Sequence, residues 1–266
     1  MDILKEICLG AAQGVLEWLP VSSEGVLFLI KTNFFNFQSL ELLIKEVLFL
    51  HLGTFLAALI YFKKDINLLI KTSLQYRSAT KEMKKMLNFL LIGTVVSGLI
   101  GLVFISLISS TEKLSFAPKI ITIIIGIMLL VTALIQLKAS RKERIRSLKD
   151  INLKDGLITG IAQGLAVLPG LSRSGLTVSS LLLRKIDDVW SLKLSFLLSL
   201  PIVLGGNIIL NFPHFSFSWG LLVEFLSSFV FGILTIHTLL KIAKKLNFGY
   251  FVLIFALITL IAGFLI

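Results

Sequence analysis

The sequence predicts an all-α integral membrane protein built from two inverted-topology repeats. Three observations carry this prediction. The mean hydropathy is +0.96 and only 15% of the 266 residues are charged, against about 25% in soluble domains. Several apolar runs reach the roughly 20 residues that cross a bilayer core. A polar motif near the N-terminus also recurs 150 residues later.

Six stretches have the length and apolar content of membrane-spanning helices: 45–62, 87–109, 117–138, 190–210, 218–240 and 247–266. Two further apolar stretches, 6–30 and 156–184, are interrupted near the middle by glycine, proline and polar residues. Each half is too short to span a membrane at a rise of about 1.5 Å per residue. Backbone that breaks at membrane depth must be buried in protein or line a wet cavity. We therefore expect two re-entrant helix–loop–helix hairpins, called hairpin 1 and hairpin 2.

Positive charge is distributed unevenly along the chain, whose net charge is +11. Of the 26 Lys and Arg residues, 20 fall on one predicted side, mostly within a predicted loop at 63–86 and the segment 138–154. The positive-inside rule places this side in the cytoplasm, so that hairpin 1 enters from outside and hairpin 2 from inside. Nearby anionic lipid accounts for the charge, and we expect no nucleic-acid partner. The single cysteine, Cys8, excludes an internal disulfide.

The two halves of the chain carry the same polar pattern. GAAQG at 10–14 recurs as GIAQG at 160–164, and at the same offset Ser22 matches Ser172. Each half contains one hairpin and three spans, and because three is odd, the second half must enter the membrane upside down. The chain is expected to be one membrane domain, 1–266, with repeat 1 at about 1–138, a basic linker at 139–155 and repeat 2 at about 156–266. Inverted repeats with broken helices place the functional site at the repeat interface.

The first polar cluster is QGVLEWLPVSSEG, residues 13–25. Gln13 and Glu17 are four residues apart and share one helix face. Pro20 breaks the first half-helix, so that Ser22 and Ser23 lie near the start of the second. A helix start presents free N–H groups and partial positive charge, which bind phosphate.

The second polar cluster is LPGLSRSG, residues 168–175. It repeats the break and adds Ser172, Arg173, Ser174 and Gly175. A planar arginine fork matches phosphate oxygens. An arginine at membrane depth costs at least about 2.5 kcal/mol on insertion scales. Arg173 is therefore predicted to be functional, in an anion site that Glu17 completes as a base or as a ligand of a divalent metal ion.

Each of these residue types also has a structural interpretation. Any one serine could be a helix cap. Gln13 and Gln163 could form interhelical hydrogen bonds, and Glu17 could serve only as the counter-ion of Arg173. A lone histidine such as His51 is more often packed or hydrogen-bonded than catalytic.

At these motifs the chain resembles the undecaprenyl-diphosphate phosphatase family, also called the bacitracin-resistance family. The family shows an (E/Q)xxxE segment followed by PxSS, here Gln13 to Glu17 and then Pro20 to Ser23, and it shows PGxSRSG, complete here at 169–175. LHLGT at 50–54 and SFLLSLP at 195–201 are similar to the family's stretches after each hairpin. The resemblance therefore covers most of the chain.

The resemblance implies removal of the terminal phosphate of a C55 isoprenoid diphosphate, which leaves the lipid monophosphate carrier used in cell-wall synthesis. It also implies a divalent cation, Mg²⁺ or Ca²⁺, and a multi-pass protein of the plasma membrane whose site opens outward. The expected catalytic residues are Glu17, Ser23 and Arg173. The expected phosphate-binding residues are Ser22, Ser172, Ser174 and Gly175, and the expected supporting residues are Gln13, Glu24, His51 and Gln163.

One position departs from the family pattern. The family commonly has a histidine directly after PxSSxG, and this chain has Val26 there. Position 24 is glutamate instead of a small hydroxyl residue. We expect Glu24 or His51 to supply the missing group.

Two other functional classes compete with the phosphatase interpretation. A transporter of polyprenyl phosphate would use the same broken helices and the same anion site, although a carboxylate such as Glu17 would hinder anion transport. The hypothesis of a nucleic-acid-binding or scaffold protein would explain only the net positive charge of the chain. The expected partners are the polyprenyl diphosphate lipid and the membrane. The sequence leaves open whether the chain forms a homodimer and whether a serine or a metal-activated water is the nucleophile.

Overall fold

The computed structural model describes residues 3–34, 40–110, 118–168, 170–212, 218–243, 245 and 247–265. These residues form eleven α-helices and no β-strand. The helices are α1 (Ile3–Leu16), α2 (Ser23–Phe34), α3 (Leu40–Tyr61), α4 (Lys63–Leu74), α5 (Lys81–Ser110), α6 (Pro118–Ser140), α7 (Leu153–Leu165), α8 (Arg173–Leu183), α9 (Asp188–Leu210), α10 (Trp219–Ala243) and α11 (Phe248–Leu265). A short 3-10 helix, Leu148–Asp150, precedes α7.

Six of these helices are long and apolar enough to cross a membrane: α3, α5, α6, α9, α10 and α11. They match the six spans predicted from the sequence, which confirms the all-α membrane fold class. Apolar side chains cover much of their outward surface, as on Leu99, Leu234 and Ile261. Such surface suits contact with lipid, because the hydrocarbon core offers no partner to polar groups.

The two interrupted stretches each form a pair of short helices separated by a break, as predicted. Hairpin 1 consists of α1 and α2, with 14 and 12 residues. Hairpin 2 consists of α7 and α8, with 13 and 11 residues. At about 1.5 Å per residue none of these helices exceeds about 21 Å, which is short of the roughly 30 Å of a bilayer core. Pro169, expected at the second break, lies outside the described residues.

The repeated GxxQG motif acts in helix packing. In hairpin 1, α1 lies along α10, and a Cβ added at Gly14 would stand only 2.7 Å from the Ser228 carbonyl oxygen. In hairpin 2, α7 lies along α5, and a Cβ added at Gly160 would stand 2.8 Å from the Gly93 carbonyl oxygen. Small residues at this spacing allow helix backbones in a membrane to approach closely. Each pair joins the first helix of one hairpin to the second span of the other half. The inverted repeat itself stays a prediction.

Hairpin 1 lies between two hydrophobic clusters. Trp18, at its break, packs in a cluster with Phe62, Phe89 and Phe196. Phe28, on α2, belongs to the second cluster, which draws mainly on α3, α6 and α11. The indole Nε1 of Trp18 donates to the Gly232 carbonyl, 3.0 Å away. Packing on both sides therefore fixes the break of hairpin 1 at a defined depth.

The segment 63–86, expected to be a loop, contains the helix α4 and the first turns of α5. Ile66 and Leu69 of α4 pack against the core, and Lys63, Lys64 and Lys71 are exposed. The loop prediction is therefore wrong for this segment, because α4 has an apolar face toward the core and a charged face outward, the pattern of a surface helix.

Asp155 holds the two ends of hairpin 2 together. Its side chain is fully buried and accepts hydrogen bonds from Arg146, at 2.6 and 3.0 Å, and from Arg184, at 2.7 Å. Arg146 also donates to the carbonyl of Arg184, just beyond the end of α8. Burial raises the pKa of the Asp155 carboxyl, but the hydrogen bonds from both arginines outweigh burial and hold the pKa below its usual range. The carboxylate therefore links the start of α7 to the end of α8 through these ion pairs.

Replacing Asp155 with Asn is expected to lower the free energy of unfolding by about 3 kcal/mol at pH 7, because two partly buried arginines lose their counter-ion. A carboxyl with a lowered folded pKa adds stability above its unfolded pKa of about 3.9, and that stability is lost as the pH falls through the folded pKa. Unfolding in detergent, followed from pH 7 to pH 3, should therefore show the difference between wild type and variant shrinking toward pH 3.

The matched control is Asp188→Asn, since the Asp188–Arg144 pair is far more exposed and should contribute less than about 1 kcal/mol. Equal losses of unfolding free energy in the two variants, or a loss in Asp155→Asn that does not depend on pH, would contradict this role of Asp155.

Candidate active site

The break of hairpin 1 ends at a serine that caps the next helix. Ser22 Oγ accepts a hydrogen bond from the Gly25 amide, 3.0 Å away, and α2 starts at Ser23. The hydroxyl of Ser22 is therefore used as an N-cap. Its expected contact with phosphate stays a prediction.

The break of hairpin 2 has the same construction. Ser172 is the N-cap of α8, and its Oγ accepts from the Gly175 amide, 3.0 Å away. Gly170 bends the chain with a φ of +92°, a conformation that favours glycine. Because both breaks end in a capped helix start, two helix N-termini lie beside the residues described next.

Glu17 is the centre of the site. Its Oε1 accepts a hydrogen bond from Arg173 Nη2, which joins the two hairpins directly. Its Oε2 accepts from Gln13 Nε2 at 3.0 Å and from Ser23 Oγ at 3.1 Å. The side chain is only 7% exposed. The structure thus brings together the three predicted catalytic residues, and their chemical roles stay predictions.

His51 also reaches Glu17, from the neighbouring helix α3. Its Nδ1 lies 2.7 Å from the Val47 carbonyl oxygen, which can only accept, so Nδ1 carries a proton. Its Nε2 lies 3.3 Å from Glu17 Oε2 and 3.8 Å from Glu24 Oε1. The ring is a cation only when Nε2 carries a proton as well. Both residues considered as substitutes for the missing histidine therefore face the site.

Arg173 has a donor group that the described part of the chain leaves unused. Its Nη1 is buried and has no hydrogen-bond partner among the described residues. The guanidinium carbon lies 5.8 Å from the ring centre of Phe196, which supports a cation from the apolar side. A buried donor without a partner costs about 1–3 kcal/mol or more. The arrangement is therefore suited to an incoming anion.

Ser174 ties the two breaks together a second time. Its Oγ donates to the Leu19 carbonyl, 3.0 Å away, and lies 3.4 Å from Ser172 Oγ. Gln136 Nε2, on α6, donates to the neighbouring Pro20 carbonyl. These contacts satisfy backbone groups that the broken helices would leave without partners.

Between the breaks is a small polar pocket of about 20 Å³. It is lined by Glu17, Val21, Ser22, Ser23, Glu24, His51, Leu171, Arg173 and Ser174. On this measure a cavity needs about 10–15 Å³ to hold one water molecule, so the pocket has room for about one water. It is too small for a phosphate group, which could enter only if Arg173 and Glu17 separate.

A second space adjoins this pocket. It is an apolar cavity of about 450 Å³ between hairpin 1, α3, α5, α7 and α9. Glu24 lines both spaces. A charged headgroup and an apolar tail could therefore occupy adjoining places.

Gln163 does not join the polar cluster. Its Nε2 donates to Ser97 Oγ at 3.1 Å and to the Leu198 carbonyl at 3.3 Å. It lines the apolar cavity. The interhelical hydrogen-bond interpretation therefore describes Gln163, whereas Gln13 supports Glu17. Although the two glutamines match in sequence, only hairpin 1 carries a carboxylate four residues later, and Gly164 to Val167 provide none.

The fold and the site define a class of protein: a multi-pass membrane protein with a buried ion pair between two broken helices and an apolar cavity beside it. Residues 6–261 match the family model described as "Bacitracin resistance protein BacA". The chain belongs to this family, which confirms the resemblance seen in the motifs.

Several relatives are similar to this chain over nearly its whole length. A protein named undecaprenyl-diphosphatase from Methanococcoides burtonii is 38% identical over 269 residues, which cover 100% of both chains. Proteins with the same name from Sulfurisphaera tokodaii and Methanothrix thermoacetophila are 36% and 31% identical. The first alignment covers 93% of this chain and 92% of the relative, and the second covers 98% and 96%.

The Glu17–Arg173 pair should be coupled energetically. Replacing either residue with Leu leaves the other buried without its partner, and is expected to cost about 3 kcal/mol of unfolding free energy. The double variant should lose less than the sum of the two single losses, by at least about 1 kcal/mol. SDS titration of the purified protein measures all four states of this cycle.

The exposed pair Asp65–Lys193 provides the comparison, with an N–O distance of 2.6 Å and both side chains about one-quarter exposed. Its cycle should give less than about 1 kcal/mol. Additive losses at Glu17 and Arg173 would show that the ion pair does not join the hairpins energetically.

Proposed function

We propose that this protein hydrolyses the terminal phosphate of undecaprenyl diphosphate, or of a related polyprenyl diphosphate, in the plasma membrane. The observation that carries the proposal is the buried array of Ser23, Glu17 and Arg173 beside an apolar cavity. The names of the relatives support the same substrate. The product, a lipid monophosphate, would serve as a carrier for the synthesis of cell-wall or other glycans.

Arg173 would bind the terminal phosphate. Its Nη1, which has no hydrogen-bond partner in the described parts of the chain, is already buried, and guanidinium donors pair with phosphate oxygens in a planar geometry. The starts of α2 and α8 add partial positive charge on two further sides. Because Glu17 pairs with Arg173 in the present structure, the phosphate would take over this contact and leave Glu17 free to act as a base.

Ser23 is the proposed nucleophile. Its hydroxyl already donates to Glu17 Oε2, so Glu17 can accept the proton as Ser23 Oγ forms a bond to the terminal phosphorus. The anhydride P–O bond breaks, and the lipid monophosphate leaves with the proton that Glu17 accepted. Water, deprotonated by the regenerated Glu17 carboxylate, then attacks the phosphoserine, and Glu17 returns a proton to Ser23 Oγ as inorganic phosphate is released. Developing charge on the phosphoryl oxygens would be stabilised by Arg173 and by the helix starts.

His51 would support Glu17 from the opposite side. Its Nε2 lies 3.3 Å from the carboxylate oxygen that also accepts from Ser23. This contact would keep Glu17 aimed at the serine when the phosphate separates it from Arg173. His51 would thereby cover part of the role expected for the histidine that Val26 replaces.

A divalent cation would enter this site with the substrate. Among the described residues, no group of three or more His, Cys, Asp or Glu side chains has the geometry of a metal centre. Mg²⁺ commonly binds through one or two carboxylates and substrate phosphates, and Glu17 and Glu24 are carboxylates within reach of one histidine nitrogen. These residues fit a cation shared with a diphosphate. Such an ion would neutralise charge on the phosphate oxygens.

The transporter alternative lacks a specific observation in its favour. The carboxylate of Glu17 lies within hydrogen-bonding distance of the proposed nucleophile. This contact serves hydrolysis, whereas it would oppose the passage of an anion.

Phosphate release from a C55 or shorter prenyl diphosphate in detergent tests the proposal. Ser23→Ala, Glu17→Ala and Arg173→Ala should each lower kcat by at least about 100-fold, because each removes a group that acts on the reacting phosphate. Ser199→Ala is the matched control, since this buried serine donates to the Phe196 carbonyl outside the polar pocket. Well-folded wild type that releases no phosphate would refute the proposed activity.

Trapping a radiolabelled phosphoenzyme distinguishes the two nucleophiles. Label from a terminally labelled substrate should remain on wild type after acid quench and be missing from Ser23→Ala. Full activity in Ser23→Ala would instead identify water as the nucleophile.

Chelation tests the cation. EDTA should reduce phosphate release by wild type to background, and an excess of Mg²⁺ or Ca²⁺ should restore it, because substrate charge would otherwise repel Glu17 and Glu24. Unchanged release in EDTA would contradict a required divalent ion.

A further inference from the structure

The apolar cavity has features that the proposed reaction does not explain. Its wall is formed mainly by aliphatic side chains of α3, α5 and α9, and Glu24 stands where it meets the polar pocket. The lining also includes Val95, Leu99 and Ile209, which are exposed on the surface of the protein. The cavity therefore runs from the predicted reaction centre to the lipid-facing surface.

Glycines on two facing helices line this cavity. They are Gly98 and Gly101 on α5, and Gly205 and Gly206 on α9. A glycine inside a helix costs about 1 kcal/mol relative to alanine. We therefore expect each of these glycines to have a structural or functional role that offsets this cost.

Close packing of helices explains many glycines of this chain, but it does not explain Gly98 and Gly205 in the cavity. A Cβ added at Gly14 would stand 2.7 Å from a backbone oxygen. A Cβ added at Gly205 would meet nothing within 4 Å, and one at Gly98 would meet only Ile202 Cδ1, 3.9 Å away. Helix packing therefore tolerates a side chain at both positions. What a larger side chain would remove is cavity volume.

The volume sets a capacity. An apolar cavity of about 150 Å³ holds a benzene ring of six carbons, so about 450 Å³ holds about 18 carbons. This corresponds to three to four five-carbon isoprene units. An undecaprenyl tail has eleven units, and the remainder must lie outside the cavity.

We propose that this cavity binds the isoprene units next to the diphosphate, and that Gly98 and Gly205 keep it open for about three to four of them. The inference rests on the proposed function for its substrate class. The protein would recognise the beginning of the tail, and the rest of the tail would leave between exposed side chains into the bilayer. Tail length beyond about 20 carbons would then have little effect on recognition.

Rates on prenyl diphosphates of 5, 15, 20 and 55 carbons, at equal mole fraction in mixed micelles, test this inference. For wild type, kcat/KM should rise at least about 10-fold from 5 to 15 carbons, since each buried methylene group strengthens binding. It should then change by no more than a few-fold between 20 and 55 carbons. A rise from 20 to 55 carbons as large as the first would overturn the limited capacity.

Two filling variants test the glycines. Gly205→Leu and Gly98→Leu should each lower kcat/KM for the 15- and 20-carbon substrates by at least about 10-fold and leave the 5-carbon substrate within about two-fold. Ser106→Leu is the matched control on α5, because Ser106 is exposed and does not line the cavity. Equal losses for short and long substrates in both glycine variants would overturn the inference.

Binding of tritiated farnesol, a 15-carbon alcohol without phosphate, separates the inference from the proposed reaction. Wild type should bind it, and Gly205→Leu should bind it at least about 10-fold more weakly. If wild type hydrolyses no diphosphate and still shows this difference, the proposed function fails and the cavity assignment stands. If it hydrolyses diphosphates but farnesol binding is absent, or is the same in both proteins, the cavity assignment fails alone.

Discussion

The arrangement of the two hairpins depends on the ion pair between Glu17 and Arg173. Each charge comes from a helix break at membrane depth, where an isolated charge would be costly. Pairing them meets that cost and holds the breaks of hairpin 1 and hairpin 2 against each other. Ser174 and Gln136 reinforce this joint through backbone carbonyls of hairpin 1. The contact that joins the hairpins is therefore also the contact that the proposed phosphate binding would separate, and such binding would be coupled to a rearrangement of the site.

The two halves use matching residues for different purposes. Ser22 and Ser172 both cap a helix, and the paired GxxQG motifs both bring helices into close contact. The chemistry is divided between the halves: hairpin 1 provides the carboxylate and a hydroxyl, and hairpin 2 provides the guanidinium. His51, from α3, places its Nε2 3.3 Å from Glu17 Oε2. Similar frameworks thus bring unlike groups to one point, as the proposed reaction, with its base and its phosphate-binding group, requires.

The sequence predicted which groups lie close together where the covalent chain order constrains them. Gln13, Glu17 and Ser23 lie within one hairpin, and helical spacing alone brings the glutamine and the carboxylate to one face. The role of Gln163 was harder to predict, because its match with Gln13 in sequence does not specify which neighbours surround it. His51 could be named as a candidate but not placed, since the position of α3 beside hairpin 1 depends on packing between helices. The cavity between α5 and α9 was not foreseen for the same reason.

By itself the sequence determined the six spans, the two interrupted helices and the residues at their breaks, because hydropathy, proline, glycine and serine act over a few neighbouring residues. Tertiary structure alone decided which groups meet: that Glu17 is bonded to Arg173 from the other half, that His51 points at the same carboxylate, and that Gly98 and Gly205 face an open cavity. These contacts join residues far apart in the chain. Their geometry is set by the packing of whole helices, which no local pattern records.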